Sequence, residues 1–172
     1  MCVNLKGREN QAMKSITEFT RRFGMEIEIN ERLVVKKKNR YFLLNNALRR
    51  FVKSDFFYAG TYLGKIKRGR FFPSFNLLRI VAEKVEANKV FVDKKSEWLF
   101  ICGRDIFKQG IVKTVGSKRK GSYILVLNMH GECLGFAELL DDLDRIEKGV
   151  AAKNILDVGD FLRRERGRVE GI

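Results

Sequence analysis

His130, the single histidine of the chain, is followed three residues later by Cys133, a ligand-like spacing, with Cys2 and Cys102 as further soft donors. A structural zinc site needs four such ligands, and nothing else in the sequence supplies a second pair at matching spacing. N-M-H-G (128–131) reads as an exposed turn, and no nucleophile is placed there for the histidine to serve as general base. D-D-L-D (141–144) could bind a divalent ion but lacks the glycine and distal glutamate of an EF-hand loop, and reads as the polar start of a helix. G-T-Y-L-G-K (60–65) is too short between its glycines for a phosphate-binding loop and falls between strands. The pattern predicts a protein that binds without turnover, with no metal and no cofactor.

The chemistry the chain does carry is positive charge. It has 35 Lys and Arg against 21 Asp and Glu, a net charge of +14. Residues 1–87 hold 19 basic and 8 acidic residues, whereas residues 88–172 hold 16 and 13. A heat-adapted surface would mix the signs in ion-pair networks; the excess in the first half instead predicts nucleic acid or another polyanionic partner. V-V-K-K-K-N-R (34–40) is the densest run and reads equally as a hairpin tip. S-K-R-K-G (117–121) could grip phosphate or simply form a solvated turn. Phe71, Phe72 and Phe75, close to Lys67, Arg68 and Arg70, could stack single-stranded bases beside a positive groove, although phenylalanines are more often core. R-R-E-R-G-R (163–168) could contact RNA or be a solvated terminus.

These residues must be positioned by two units of mixed secondary structure. From Asn10 as cap, Met13, Ile16, Phe19 and Phe23 recur at helical spacing up to Gly24. Strands are expected at 25–29, 32–37, 40–45, 56–66 and 70–75, with a helix from Asn46 to Lys53. A last helix, capped by Asn76, would place Leu77, Ile80, Val81 and Val85 on one face. After E-A-N-K (86–89), glycine-separated strands are expected at 89–93, 97–103, 110–116, 121–128 and 132–140, with short helices at 104–108 and 157–164. A small β-barrel is the economical reading, with Cys102 and Cys133 in its core. An opening without an apolar leader, and three cysteines at unrelated spacings, point to the reduced cytoplasm. The longest apolar runs, such as Tyr123 to Leu127, fall far short of the roughly 20 residues that span a bilayer.

V-F-V-D (90–93), C-G-R-D-I-F-K-Q-G-I (102–111), K-G-S-Y-I-L-V-L-N-M-H-G-E-C-L-G (120–135) and K-N-I-L-D-V-G-D-F-L-R (153–163) together resemble the PUA domain in order and spacing. Upstream, A-G-T-Y-L-G-K (59–65), F-F-P-S-F (71–75) and the apolar helix after them resemble the pre-PUA domain of the Nip-seven family of archaeal and eukaryotic ribosome-biogenesis proteins. The expected fold class is therefore α+β: a basic pre-PUA-like domain with an antiparallel sheet over residues 1–87, then a PUA-type mixed β-barrel over 88–172. The resemblance implies binding of rRNA or pre-rRNA, a role in pre-rRNA processing and large-subunit assembly, and the exosome or other ribosome-assembly proteins as partners. In that family the basic positions just after the D-V-G helix contribute to RNA binding, which here designates Arg163 and Arg164. Lys108, Lys113, Lys153, Arg166 and Arg168 stand behind them, with the Gly110 corner offering backbone amides to phosphate. Two other classes stay open: a subunit of an RNA-modifying enzyme, and an adaptor whose basic face meets acidic proteins.

Overall fold

A computed structural model describes residues 5–52, 56–160 and 163, with side chains from Met13 onward. The chain forms two compact units, one of residues 1–21 and 26–81, the other of residues 22–25 and 82–172. No helix among the described residues is long and apolar enough to cross a membrane.

In the first unit, α1 (Leu5–Arg21) buries Met13, Ile16 and Phe19, the face that its apolar spacing defines. The stretch after it, 25–30, pairs with no strand. Met25 and Ile27 are buried and Glu26 and Glu28 exposed, so the alternation is that of a half-buried strand, but a ladder partner is missing. Four strands follow: β1 (Val34–Lys37), β2 (Arg40–Leu43), β3 (Thr61–Lys67) and β4 (Arg70–Pro73). They form an antiparallel sheet in sequence order, two hairpins side by side. A short helix, α2 (Asn46–Phe51), is capped by the Asn45 side chain, which accepts the Leu48 N–H at 2.8 Å. The helix after β4, α3 (Phe75–Ala82), starts two residues earlier than a cap at Asn76 predicts. Ser74, not Asn76, holds its first turn by accepting the Leu77 N–H, and the hydroxyl also donates to the Tyr62 carbonyl of β3. Its buried face is Leu77, Leu78 and Val81; Val85 lies past its end and is exposed.

The second unit is a six-stranded mixed sheet in the order β6-β10-β9-β8-β5-β7. Its strands are β5 (Lys89–Val92), β6 (Ile106–Phe107), β7 (Ile111–Val115), β8 (Tyr123–Leu127), β9 (Cys133–Leu139) and β10 (Val150–Asp157). β5 and β8 are parallel and the other pairings antiparallel. β6 and β7 sit at opposite ends of this order, yet only Lys108–Gly110 joins them. Five strand spacings in a flat sheet would put them about 24 Å apart, whereas the link from Phe107 to Ile111 reaches about 14 Å at most. The sheet must therefore curl, and the expected barrel-like mixed sheet is what forms. Val90, Val92, Ile124, Val126, Ala137 and Leu139 fill its inner face together with Phe100. On the other face Phe23 packs edge-on against Phe136 and tilts against Tyr123, with ring centroids 5.6 and 5.7 Å away.

Three assignments are corrected here. Residues 97–103 are not a strand but most of α4 (Lys94–Ile101), because Asp93 accepts the Ser96 N–H at 2.7 Å and starts a helix. The apolar run W-L-F-I imitates a buried strand, but Trp98 and Leu99 are exposed while Phe100 is buried in the core and Ile101 packs against it. Residues 104–108 are too few to sustain a helix; Ile106 and Phe107 instead pair with β10. Residues 141–144 form bends and turns rather than a helix start, with Leu143 buried in the core.

Asn88 ties the unit together. Its backbone N–H donates to the Phe23 carbonyl at 2.8 Å, and its side chain accepts from the Ser117 N–H at 2.7 Å while donating to the Tyr123 carbonyl. An Asn88→Ala substitution strands the buried Tyr123 carbonyl and the half-buried Ser117 N–H, so a loss of about 2 kcal/mol is expected in urea unfolding. A change below about 0.5 kcal/mol would show that water replaces the amide without cost.

Candidate nucleic-acid interface

The D-V-G segment singled out by sequence ends β10 and turns the chain into a helical stretch that includes Asp160 and Arg163. Asp157 is only 2% exposed. The Arg163 guanidinium reaches back to it, donating from Nη2 to Oδ2 at 2.5 Å and from Nη1 to the Ile101 carbonyl at 2.7 Å. Asn154 completes the cluster, donating to Asp157 Oδ2 at 3.1 Å and to the Phe100 carbonyl at 3.0 Å. The glycine of D-V-G has a steric cause: a Cβ on Gly159 would collide with the Ile101 carbonyl. The bond to Asp157, ahead of all other effects, raises the Arg163 pKa above its ordinary value. Arg163 is thus first a clamp between β10 and the C-terminal end of α4; its side chain still leaves 40% of its surface to solvent.

The remaining basic candidates separate into three groups. Lys108 is turned inward, its ammonium donating to the Leu143 carbonyl at 2.5 Å. Lys113 and Lys153 are exposed. Lys113 lies on the edge strand β7, directly across from Phe91, with its Nζ 5.3 Å from that ring. Lys153 lies on β10 across from Glu138. Through Phe91, Leu127, Tyr123 and Glu138 the pairings put both lysines on one face of the sheet, four strand spacings apart, so no single patch collects them. Arg164, Arg166 and Arg168 lie outside the described residues.

Several other expectations are resolved by packing. The Gly110 corner is buried, pressed against Ser96 in the first turn of α4, so it is closed to phosphate. In 117–121, Lys118 pairs with Asp144 at 3.0 Å and the Lys120 N–H donates to Asp142 Oδ1 at 2.8 Å, which makes the acidic run the counter-loop of the basic one. Cys102 is exposed at the end of α4 and Cys133 half-buried, so neither sits in the core as expected. No cluster of three or more His, Cys, Asp or Glu that could hold a metal occurs among the described residues. Of the phenylalanines beside Lys67 and Arg70, Phe71 packs inward against Phe19 at 5.5 Å, Phe75 is half-buried, and Phe72 is 43% exposed. Asp157 and Asn154 are what sequence reading missed; the signal was an acidic residue ending an apolar strand with an arginine six positions on.

Removing the guanidinium by Arg163→Ala leaves a buried carboxylate without its cation. Because the arginine is partly solvated, a loss of about 2–3 kcal/mol in unfolding free energy is expected, below the full cost of stranding a buried charge. Arg163→Lys should recover only part of it, since an ammonium cannot bridge Asp157 and Ile101 as a planar fork does. An unchanged urea midpoint for Arg163→Ala would remove the clamp from the account.

With this geometry in view, the chain can be set beside known proteins. A UPF0113 protein of Archaeoglobus fulgidus is 31% identical over 116 residues, 63% of this chain, and the chain spans 63% of that relative's length. A conserved PUA domain protein from Thermoplasma acidophilum has the same fold, with a TM-score of 0.58 at 24% identity over 91% of this chain and 95% of the other. A hypothetical protein from Pyrococcus horikoshii does so with a TM-score of 0.59 at 18% identity and the same coverage. Residues 88–166, from the start of the second unit's sheet through the Asp157–Arg163 clamp, match the family described as the UPF0113 PUA domain.

Proposed function

We propose that this protein binds RNA without catalysing a reaction on it, and that it acts in ribosome biogenesis, in pre-rRNA processing and large-subunit assembly. The observation that carries RNA binding is the coincidence of a PUA-domain match over residues 88–166 with a net charge of +14. A polyanion gains from each phosphate neutralised, and counterion release makes that gain independent of sequence. In the second unit the exposed strand lysines, Lys113 and Lys153, supply such contacts, with Arg119 and Lys120 on an exposed loop. The assignment to ribosome biogenesis and contacts with the exosome or other assembly factors rest on the resemblance of most of the chain to the Nip-seven family, and cytoplasmic localisation on the three cysteines at unrelated spacings. The absence of turnover rests on the residues: the single histidine, His130, sits on an exposed turn, its backbone N–H donating to the Asn128 side chain.

Fluorescence anisotropy with the intact chain and a labelled rRNA fragment, across a salt series, tests the proposal. Affinity should fall with salt, and Lys113→Ala with Lys153→Ala should weaken it several-fold while reducing the log–log salt slope by about 0.7–0.9 per lysine. No binding at low salt sinks the RNA reading and favours an adaptor for acidic proteins. Turnover of the RNA by the purified chain contradicts the non-catalytic half.

A further inference from the structure

The first unit carries a second constellation, which extends the Phe72, Lys67, Arg68 and Arg70 cluster of the sequence across the whole sheet. Two charge runs far apart in sequence, 36–40 and 65–70, are the tips of its two hairpins. Because Arg40 pairs with Lys65 across β2 and β3, both tips lie at the same end of the sheet. Cross-strand partners point to one face, so Lys37, Arg40, Lys65 and Phe72 form a continuous row across all four strands. The next row on that face is Val35, Phe42 and Tyr62. Phe19 and α1 cover the opposite face through Phe71, which alternates with Phe72 along β4.

On the outer face the segment after α2 brings further rings. Tyr58 and Phe56 stand edge-on to Phe42 at 5.1 and 5.7 Å, and Tyr62 tilts against the same ring at 5.4 Å. They leave grooves lined by Lys38, Arg40, Phe56 and Phe57, about 560 Å³, and by Arg40, Tyr58, Tyr62 and Lys65, about 280 Å³. Phe57 is 86% exposed and Tyr58 56%, a poor disposition for rings whose only task is packing. Across residues 32–70 there are 12 Lys and Arg and one acidic residue, Asp55. Lys38 and Arg68, at the two tips, hold left-handed backbone, with φ of 55° and 50°, where glycine or asparagine would be less strained.

We infer that this sheet face is a binding platform for single-stranded RNA, with Phe57, Tyr58 and Phe72 stacking bases and Arg40, Lys65 and the hairpin tips neutralising phosphates. Exposed rings interleaved with cations suit unstacked bases on a charged backbone, because every base offers a π-face. Four-stranded sheets with outward aromatics take two or three bases in known RNA-binding modules. An acidic protein would match the charge but leave the exposed rings unexplained. In taking RNA rather than another strand, the inference rests on the function proposed above; the site itself is separate from the lysines of the second unit.

The test is binding of a fluorescein-labelled ten-residue oligouridine by the full chain and two sets of variants. Phe57→Ala with Phe72→Ala changes two exposed rings, and unchanged circular dichroism and melting verify the fold. Affinity should fall about ten-fold or more, and Phe57→Trp alone should retain it. Arg40→Ala with Lys65→Ala should also weaken binding and flatten the salt dependence. If the ring and charge variants bind as the parent does, the platform is overturned, and loss in Lys113→Ala with Lys153→Ala would then leave the RNA function standing on the second unit alone. If the parent itself fails to bind the oligonucleotide at low salt, the platform is overturned, and the rRNA-fragment titration decides whether its premise falls with it.

Discussion

The three-residue connection between β6 and β7 is the constraint on which the second unit depends. It joins strands at opposite ends of a six-stranded order, and chain length alone forbids a flat sheet. Curling encloses the apolar inner face, and the parallel pairing of β5 with β8 lets β7 reach the far edge. Once the sheet is curled, the end of β10 comes against α4, and the Asp157–Arg163–Ile101 bonds hold the two together. The cluster fixes where β10 ends. Arg163 in this cluster and Lys108 on the Leu143 carbonyl are tied to the protein, while Lys113 and Lys153 face solvent.

Charge alone does not make a nucleic-acid surface; geometry decides which cations are available. The second unit internally neutralises part of its basicity, as Lys118 with Asp144 demonstrates. In the first unit the ion pairs Lys14–Glu18 and Arg21–Glu26 sit on or beside α1, whereas the hairpin tips combine dense basic charge with exposed rings. Exposed ion pairs of that kind contribute little to stability, so the selective placement of charge matters more for attracting a partner than for holding the fold.

Much of the architecture was legible in the sequence, for stated physical reasons. The apolar spacing of Met13, Ile16 and Phe19 defined the buried face of α1, and apolar segments between glycine corners marked β7, β8 and β9. The strand-like run W-L-F-I misled because its apolar character outweighed the capping signal of Asp93 three residues before Ser96. β10 was hidden by alanines, which carry little strand propensity and are buried here for their small size. The role of Arg163 could be read only in part: its carboxylate partner lies six positions before it, but the Ile101 carbonyl lies 62 residues away. The sequence showed the two basic runs and Phe72 separately but not that they share one face, since the spacing of 36–40 and 65–70 says nothing about register until Arg40 is known to pair with Lys65.

The most direct measurement is photo-crosslinking of the intact chain to a single-stranded RNA carrying 4-thiouridine, with the modified peptides located by mass spectrometry. Adducts should concentrate on peptides containing Phe57, Tyr58 or Phe72 and on the β7 segment around Lys113, and should fade as salt rises. Adducts absent from all of these at low salt, or spread evenly over basic segments, would contradict RNA recognition by built surfaces and leave only unspecific attraction to a positively charged protein.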